Sequence, residues 1–211
     1  MDTRHRLLEA AGRTFAERGF EHATVREICR RAKANVASVN YHFRGKKGLY
    51  ADVLTYGAQQ AVNAFPPDLG LGARPTAEAQ LHAFVYSFLC RFLDAGQRTG
   101  WYTALCAREM VEPTAALNGV VHRIIRPLAE RLEVIVRLLL SPRASAEEVR
   151  RCALSIVGQC LLYHHSRHVL ERLYGPQRYP NAEIKRLADH ITRFSLAALR
   201  AQRTTKERVS Q

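Results

Sequence analysis

The chain has 211 residues, 47% of them hydrophobic and 24% charged, with a net charge of +13 and a pI near 10.1. That length and apolar content exclude a disordered polypeptide and suit one ordinary domain or two small ones, while the positive balance favours acidic partners without separating DNA from RNA or an anionic membrane. Five dispersed cysteines (Cys29, Cys90, Cys106, Cys152 and Cys160), with no C-x-x-C pair, exclude a disulfide framework and read as buried small apolar residues in a reducing cytoplasm.

The N-terminus is charged and amphipathic from its start, and no apolar run reaches the length of a membrane span. A soluble, cytoplasmic protein is expected. Charge is concentrated at the front: residues 1–50 hold 11 Lys/Arg against 5 Asp/Glu, a net +6 in under a quarter of the chain. Such a footprint fits phosphate binding with a steep salt dependence.

Leu8, Ala11 and Phe15 repeat at helical spacing between Asp2 and Arg18, and Gly19 closes this first helix. Arg4 and Arg6 at its start read as solvated charge or as phosphate contacts. A second helix opens on Thr24-Val25-Arg26-Glu27, a capping box in which Thr24 accepts from the N–H of Glu27 and Glu27 reaches back. Val25, Ile28, Cys29 and Ala32 share one apolar side. Lys33-Ala34-Asn35 is a turn, and Asn35 caps a third helix, Val36 to His42. That helix buries Val36 and Val39 and offers Asn35, Ala37, Ser38, Asn40, Tyr41 and His42 outward. Small, hydrogen-bonding side chains on a short exposed helix suit a DNA major groove.

Phe43 is an apolar plug. Arg44, Gly45, Lys46 and Lys47 then stand where a long helix begins, Lys46 to about Asn63, with Leu49, Val53, Leu54 and Ala58 inward. Cations there oppose the helix dipole, which either a solvated cluster or a shared phosphate accommodates. Asn35, Ala37, Ser38 and Asn40 are the base-reading candidates, because Asn pairs with adenine and Ala or Ser approaches a thymine methyl. Tyr41, His42, Arg44 and Lys46, with Thr24 and Arg26, are candidates for clamping the phosphate backbone.

Residues 1 to about 50 resemble the DNA-binding domain of the tetracycline-repressor (TetR) family. The resemblance is carried by Phe15-Ala16-Glu17-Arg18-Gly19-Phe20, Thr24-Val25-Arg26-Glu27-Ile28, and VNYHF followed by Lys46 and Leu49. Two positions depart from the pattern: Lys33 stands where Gly is usual, implying a strained backbone angle or a rearranged turn, and Lys47, a further candidate phosphate contact, stands where an acidic residue is usual.

Residues 66–75, PPDLGLGARP, break the chain. Helical patterns follow: Leu81 to Phe92, Trp101 to Val111 before Pro113, Val120 to Leu139 with a kink or break expected near Arg126-Pro127, and a helix opened by a second capping box at Ser145–Glu148. After Gly175-Pro176 and Pro180 comes a last helix with Ile184, Leu187, Ile191, Phe194 and Ala198. The tail from Gln202 is expected to fray. No strand-like alternation appears.

The second half resembles the C-terminal domain of the CecR-like subgroup of these regulators over nearly all of residues 75–200. Arg108-Glu109-Met110 with Pro113, Arg126-Pro127, SIVGQCLLYHHSR and ADHITRFSLAAL carry that likeness. The resemblance implies an all-α fold of about nine helices, a three-helix helix-turn-helix head on a C-terminal helical bundle. It implies domains at 1–47, 48–74 (linking helix and breaker), 75–203 (effector and dimerisation) and a basic tail at 204–211. It also implies that the last two long helices pair with a twin across a two-fold axis, with Ile156, Cys160, Leu187, Ile191 and Phe194 as interface candidates; completing the monomer core is the alternative use of those faces.

A small-molecule effector between helices is expected to touch Phe88, Phe92, Trp101, Tyr102, Cys106, Glu109, His122, Tyr163 and His164, with core packing as the alternative for each. His164 and His168 have metal-ligand spacing but lack a certain third ligand, and Arg167 and Arg172 oppose a dication. No nucleophile-base-orienter set, phosphate loop or cofactor motif occurs, so no enzyme and no cofactor are expected. The expectation is a homodimeric, ligand-responsive repressor that binds double-stranded DNA; a metal-responsive regulator and an effector-independent DNA-binding protein are the alternatives.

Overall fold

The computed structural model describes the backbone of residues 2–93 and 100–209 and side chains to residue 203. Its helices, in chain order, are α1 (Thr3–His22), α2 (Val25–Ala32), α3 (Val36–Phe43), α4 (Lys46–Ala64), α5 (Ala77–Leu93), α6 (Gly100–Val111), α7 (Leu117–Val120), α8 (Arg126–Leu139), α9 (Ala146–His165), α10 (Arg167–Tyr174) and α11 (Asn181–Val209). No strand occurs among the described residues. Short α7 and α10 are additions to the helices read from sequence. The backbone of α11 continues to Val209 rather than fraying at Gln202; the remainder of the expected basic tail lies outside the described residues.

The chain divides into two compact units, Met1–Asn63 with Arg98–Arg126, and Ala64–Gln97 with Pro127–Gln211. In the first, α1, α2, α3 and α4 enclose Leu7, Leu8, Phe15, Ile28, Val39, Leu49, Val53 and Leu54. Phe15 and Phe20 meet the Tyr50 ring, each at 5.0 Å between centroids. The apolar stripe of α1 ends at Gly19, whose φ of 77° breaks the helix and turns the chain toward α2. Segment α6 belongs to this unit. Trp101 lies against α1 and α4 where both carry glycine: a Cβ on Gly12 would stand 2.6 Å from the indole, and one on Gly57 3.0 Å from it. Leu105, one turn along α6, is fully enclosed.

Between α7 and α8 the chain stays helical but widens. Val121–Ile125 form a π-turn in which the N–H of Arg126 reaches Val121 O. Pro127 follows at once; its ring and missing N–H would disrupt a regular α-helical turn here, and the wide turn accommodates them. The break expected near Arg126 is therefore a locally wider helix.

In the second unit, Leu81, Val85 and Leu89 of α5 pack with Leu132, Ile135 and Val136 of α8, Val149 and Ile156 of α9, and Ile184, Ala188 and Ile191 of α11. Each such Leu, Ile or Val contributes about 1.5–3 kcal/mol by leaving water. Ser145 caps α9 in a complete capping box: its Oγ accepts from Glu148 N at 3.2 Å, and Glu148 accepts from Ser145 N at 2.8 Å. Arg131 holds Asp68 of the 66–75 breaker at 3.3 Å. Among the described residues, no helix is long and apolar enough to cross a membrane.

Candidate nucleic-acid interface

Local rules set the two helices of the interface in place. Thr24 Oγ1 accepts from Glu27 N at 3.2 Å, which starts α2. The reciprocal half of the expected box is replaced: the Glu27 carboxylate is taken by Arg18 at 3.1 Å and Arg31 at 3.2 Å. Arg31 also pairs with Glu17 at 2.7 Å, and that hydrogen bond holds the Glu17 carboxyl below the usual carboxylate range. These pairs tie the end of α1 to α2 on its outer side.

Helix α2 ends at Lys33, which takes the left-handed conformation, φ 49° and ψ 51°, that the departure from glycine implied. A non-glycine residue there costs about 1–2 kcal/mol. In return Lys33 N–H reaches Arg30 O, and Ala34 N–H reaches Cys29 O at 3.0 Å, satisfying carbonyls at the helix end. Asn35 caps α3 as expected, its Oδ1 accepting from Ala37 N at 2.9 Å. Helix α3 closes at Arg44, also left-handed at φ 58°. Helix α4 then comes so close that a Cβ on Gly48 would lie 1.9 Å from Phe43 O. Only glycine permits this approach of α4 to the end of α3.

The resulting face has a sharp inside and outside. Val39 and Phe43 are buried behind α3. Asn35, Ala37, Asn40 and Tyr41 are exposed, Tyr41 to 84%, while Ser38 and His42 are half-buried. The Tyr41 ring meets the His42 ring edge-on at 4.9 Å. Thr24, Arg26 and Arg44 are exposed nearby in the same unit. Val36 corrects the sequence reading: it is 44% exposed at the first position of α3 rather than buried. Val36 and Val39 are three apart, but at the first position of the helix Val36 lacks the neighbours that enclose Val39 one turn on. The exposed Val36 adds an apolar group of the kind that packs on a thymine methyl.

The basic residues divide by their contacts. Lys46 Nζ donates to Glu21 O at 3.0 Å and sits 4.7 Å above the Phe20 ring, leaving two of its three protons for another acceptor. Arg4 pairs with Asp52 at 2.8 Å and covers the Phe43 ring. Lys33 and Lys47 stand exposed.

The effector candidates fall in different surroundings. In the first unit, Trp101, Tyr102 and Glu109 are buried; Glu109 accepts from Tyr50 OH at 2.8 Å and from Thr114 N at 2.9 Å. Burial, then the bond to Glu109, pushes the Tyr50 phenol up. Cys106 is half-buried as a residue, but its thiol is enclosed and pushed up to about 12. His122 is exposed. In the second unit, half-buried Phe88 and Phe92 form a ring ladder with His164, at 5.1 Å for each step. Burial lowers the His164 pKa. Tyr163 meets Tyr179 edge-on. His168 is turned outward to Glu171 at 3.6 Å, and among the described residues no group of three or more His, Cys, Asp or Glu is placed to hold a metal ion.

Among the dimer candidates, Ile156, Cys160 and Ile191 are buried in the core of their own unit, Leu187 is partly buried and Phe194 is 61% exposed. Other residues line the outside of α9 and α11. Leu154 is 63% and Leu162 50% exposed, and nothing stands near Gly158. A groove of about 280 Å³ runs between the helices past Ser155, Gln159, Phe194 and Ala198.

Residues 7–53 match the family described as "Bacterial regulatory proteins, tetR family", and residues 77–199 match "HTH-type transcriptional dual regulator CecR, C-terminal domain". The chain is 26% identical over 164 residues to the HTH-type transcriptional dual regulator CecR of Shigella flexneri, covering 74% of this chain and 73% of that protein. It is 41% identical over 49 residues to the "Probable HTH-type transcriptional regulator YttP" of Bacillus subtilis (strain 168), a match that spans 23% of this chain and only 24% of that protein. Among solved structures, the fatty acid degradation regulator FadR from Bacillus halodurans superposes with a TM-score of 0.66 at 12% identity, covering 91% of this chain and 97% of that one; this likeness is one of fold alone.

Proposed function

The chain belongs to the tetR family of bacterial regulatory proteins, with a C-terminal domain of the CecR type, and from that premise we propose a ligand-responsive repressor that binds a palindromic operator as a homodimer in the cytoplasm. DNA-binding transcription regulation comes with the family. The observation that carries the finer reading is the two-sided α3: Val36, Ala37, Asn40 and Tyr41 outside, Val39 and Phe43 sealed behind.

In this reading Asn35, Ala37, Ser38 and Asn40, with Val36, read base edges. Tyr41, His42, Arg44, Lys46, Thr24 and Arg26 hold phosphates and set the register. One eight-residue helix reads few bases, so a two-fold mate doubles the contacts. The exposed apolar residues Leu154, Leu162 and Phe194, beside an open Gly158, suit that mate. A dimer astride two half-sites represses by excluding other proteins from the same DNA. A small aromatic or amphipathic effector, held in the C-terminal bundle, releases it by favouring a state whose heads no longer match the half-site spacing. The ring ladder of Phe88, Phe92 and His164 supports the bundle as the place to look.

Selection of bound sequences from a random duplex pool tests the reading. It should return a palindrome whose half-site centres are roughly 34–36 Å or a multiple apart. Affinity for it should fall steeply with salt and exceed random-duplex affinity by about 10³-fold or more. Equal affinity for every duplex points instead to an effector-independent DNA-binding protein, and a single bound protomer by sedimentation overturns the dimer.

A further inference from the structure

Helix α6 grips both helices that flank the helix-turn-helix. At one end Trp101 lies in the space left by Gly12 of α1 and Gly57 of α4. At the other end two successive residues of opposite charge reach different helices. Arg108 donates to Ala16 O at 3.2 Å, at the carbonyl end of α1 just before the Gly19 break. Glu109 is 2% exposed and accepts from Tyr50 OH of α4.

A contact chain leads on from Glu109. Tyr50 OH is 2.8 Å from Glu109 Oε1, the Tyr50 ring is 5.0 Å from Phe20, and the Phe20 ring lies 4.7 Å under Lys46 Nζ. Lys46 begins α4, directly after the end of α3. A buried carboxylate tolerates little displacement of its donors, because a lost partner leaves charge without compensation. Thr114 N and Oγ1 also donate to Glu109, so three donors hold the carboxylate in place. Tyr50 is thereby held by its hydroxyl, and its ring backs Phe20, on which the lysine rests.

We propose that Glu109 is a positioning residue for DNA binding: through Tyr50 and Phe20 it holds Lys46 in place for a DNA phosphate, so that α6 sets the grip of the head without touching DNA. The inference rests on the DNA-binding reading. It gives α6 a part in that grip, since its residues 108 and 109 hold α1 and α4 together.

A double-mutant cycle on the full chain tests it, with the selected duplex at fixed salt and a melting curve for every variant. Glu109→Ala should weaken binding about five-fold when Lys46 is present. In a Lys46→Ala background the same change should cost less than about two-fold, because the group it positions is gone; additive sites would instead repeat the five-fold loss. Glu109→Gln, which keeps an acceptor oxygen for Tyr50, should restore most of the loss. Tyr50→Phe, which removes one hydroxyl, should show the same background dependence, and it carries the test if Glu109→Ala does not fold. Equal fold-losses in both backgrounds, or no loss with Lys46 present, overturn the proposal. Failure of the unsubstituted protein to prefer the selected duplex overturns the DNA-binding reading itself, a separate outcome.

Discussion

Helix α3 and the outer face of α9 and α11 are both exposed surfaces built from small and apolar residues, yet they differ in what fixes them. Helix α3 is held in rotation by short-range devices: the Asn35 cap, left-handed Lys33 and Arg44 at the two turns, and Gly48 against the Phe43 carbonyl. With Val39 and Phe43 turned inward, the outward set follows within one residue, Val36 being the exception. Helices α9 and α11 are long and apolar on more than one side. Their caps fix where α9 starts but not which stripe faces the core. Ile156 and Ile191 went in, while Leu154, Leu162 and Phe194 stayed out. A cap fixes position along a helix; only packing fixes rotation when the apolar face is wide.

The sharpest way to break this contrast is to substitute an inner and an outer residue of α11. Ile191→Ala should cost about 2–5 kcal/mol of stability by denaturant unfolding, the price of a core cavity. Phe194→Ala should leave protomer stability within about 0.5 kcal/mol. It should instead weaken the dimer by about 2 kcal/mol if Phe194 is an interface anchor, read by sedimentation across a concentration series. A large melting-temperature loss for Phe194→Ala, with the dimer constant unchanged, would erase the distinction between the stripes.

On α3 the expected effects are smaller and sequence-dependent. Asn40→Ala should lose about 1–3 kcal/mol of discrimination at one base pair, seen as altered preference in a repeat of the selection. Tyr41→Ala should weaken specific and random duplexes alike. Val36→Ala, which removes two methyl groups from a half-exposed position, should lose about 1 kcal/mol, and only on duplexes with thymine opposite it. An equal loss on thymine-free duplexes would return Val36 to a packing role. The smallest expected change is chemical. With the thiols of Cys106 and Cys160 pushed up to about 12 by burial, both are protonated at pH 8 and should react with iodoacetamide far more slowly than a free thiol in the folded protein. Rapid labelling of either, identified by mass spectrometry, would show that its helix is not packed as described.

Much of the head was legible because its signals are local. Thr24, Asn35 and Ser145 each accept the backbone N–H that their positions suggested. Glu27 shows the limit of such reasoning. Sequence spacing aimed it back at Thr24, but Arg18 and Arg31 offered full charges, and a charge-assisted bond outcompetes a neutral one. The effector candidates show a second limit. Trp101, Tyr102 and Glu109 carry aromatic and acidic character that suits a ligand or a core equally, and within their unit they lie against Gly12, Gly57 and Tyr50. Nothing in the spacing of residues 101–109 tells that partners far back in the chain are waiting.

The amino-acid order by itself determined that this protein is all-helical, where its front helices begin and end, which side chains of α3 apart from Val36 face out, and that its charge favours acidic partners. Those properties depend on caps, backbone preferences and net charge, which act within a few residues or through composition alone. Folding in three dimensions decided the rest: that α6 joins the head, that Glu109 answers Tyr50, that Lys46 lies on Phe20, and which stripe of α9 and α11 faces out. Such choices are made by contacts between distant segments competing for the same buried surface, and that competition has no counterpart in the linear pattern.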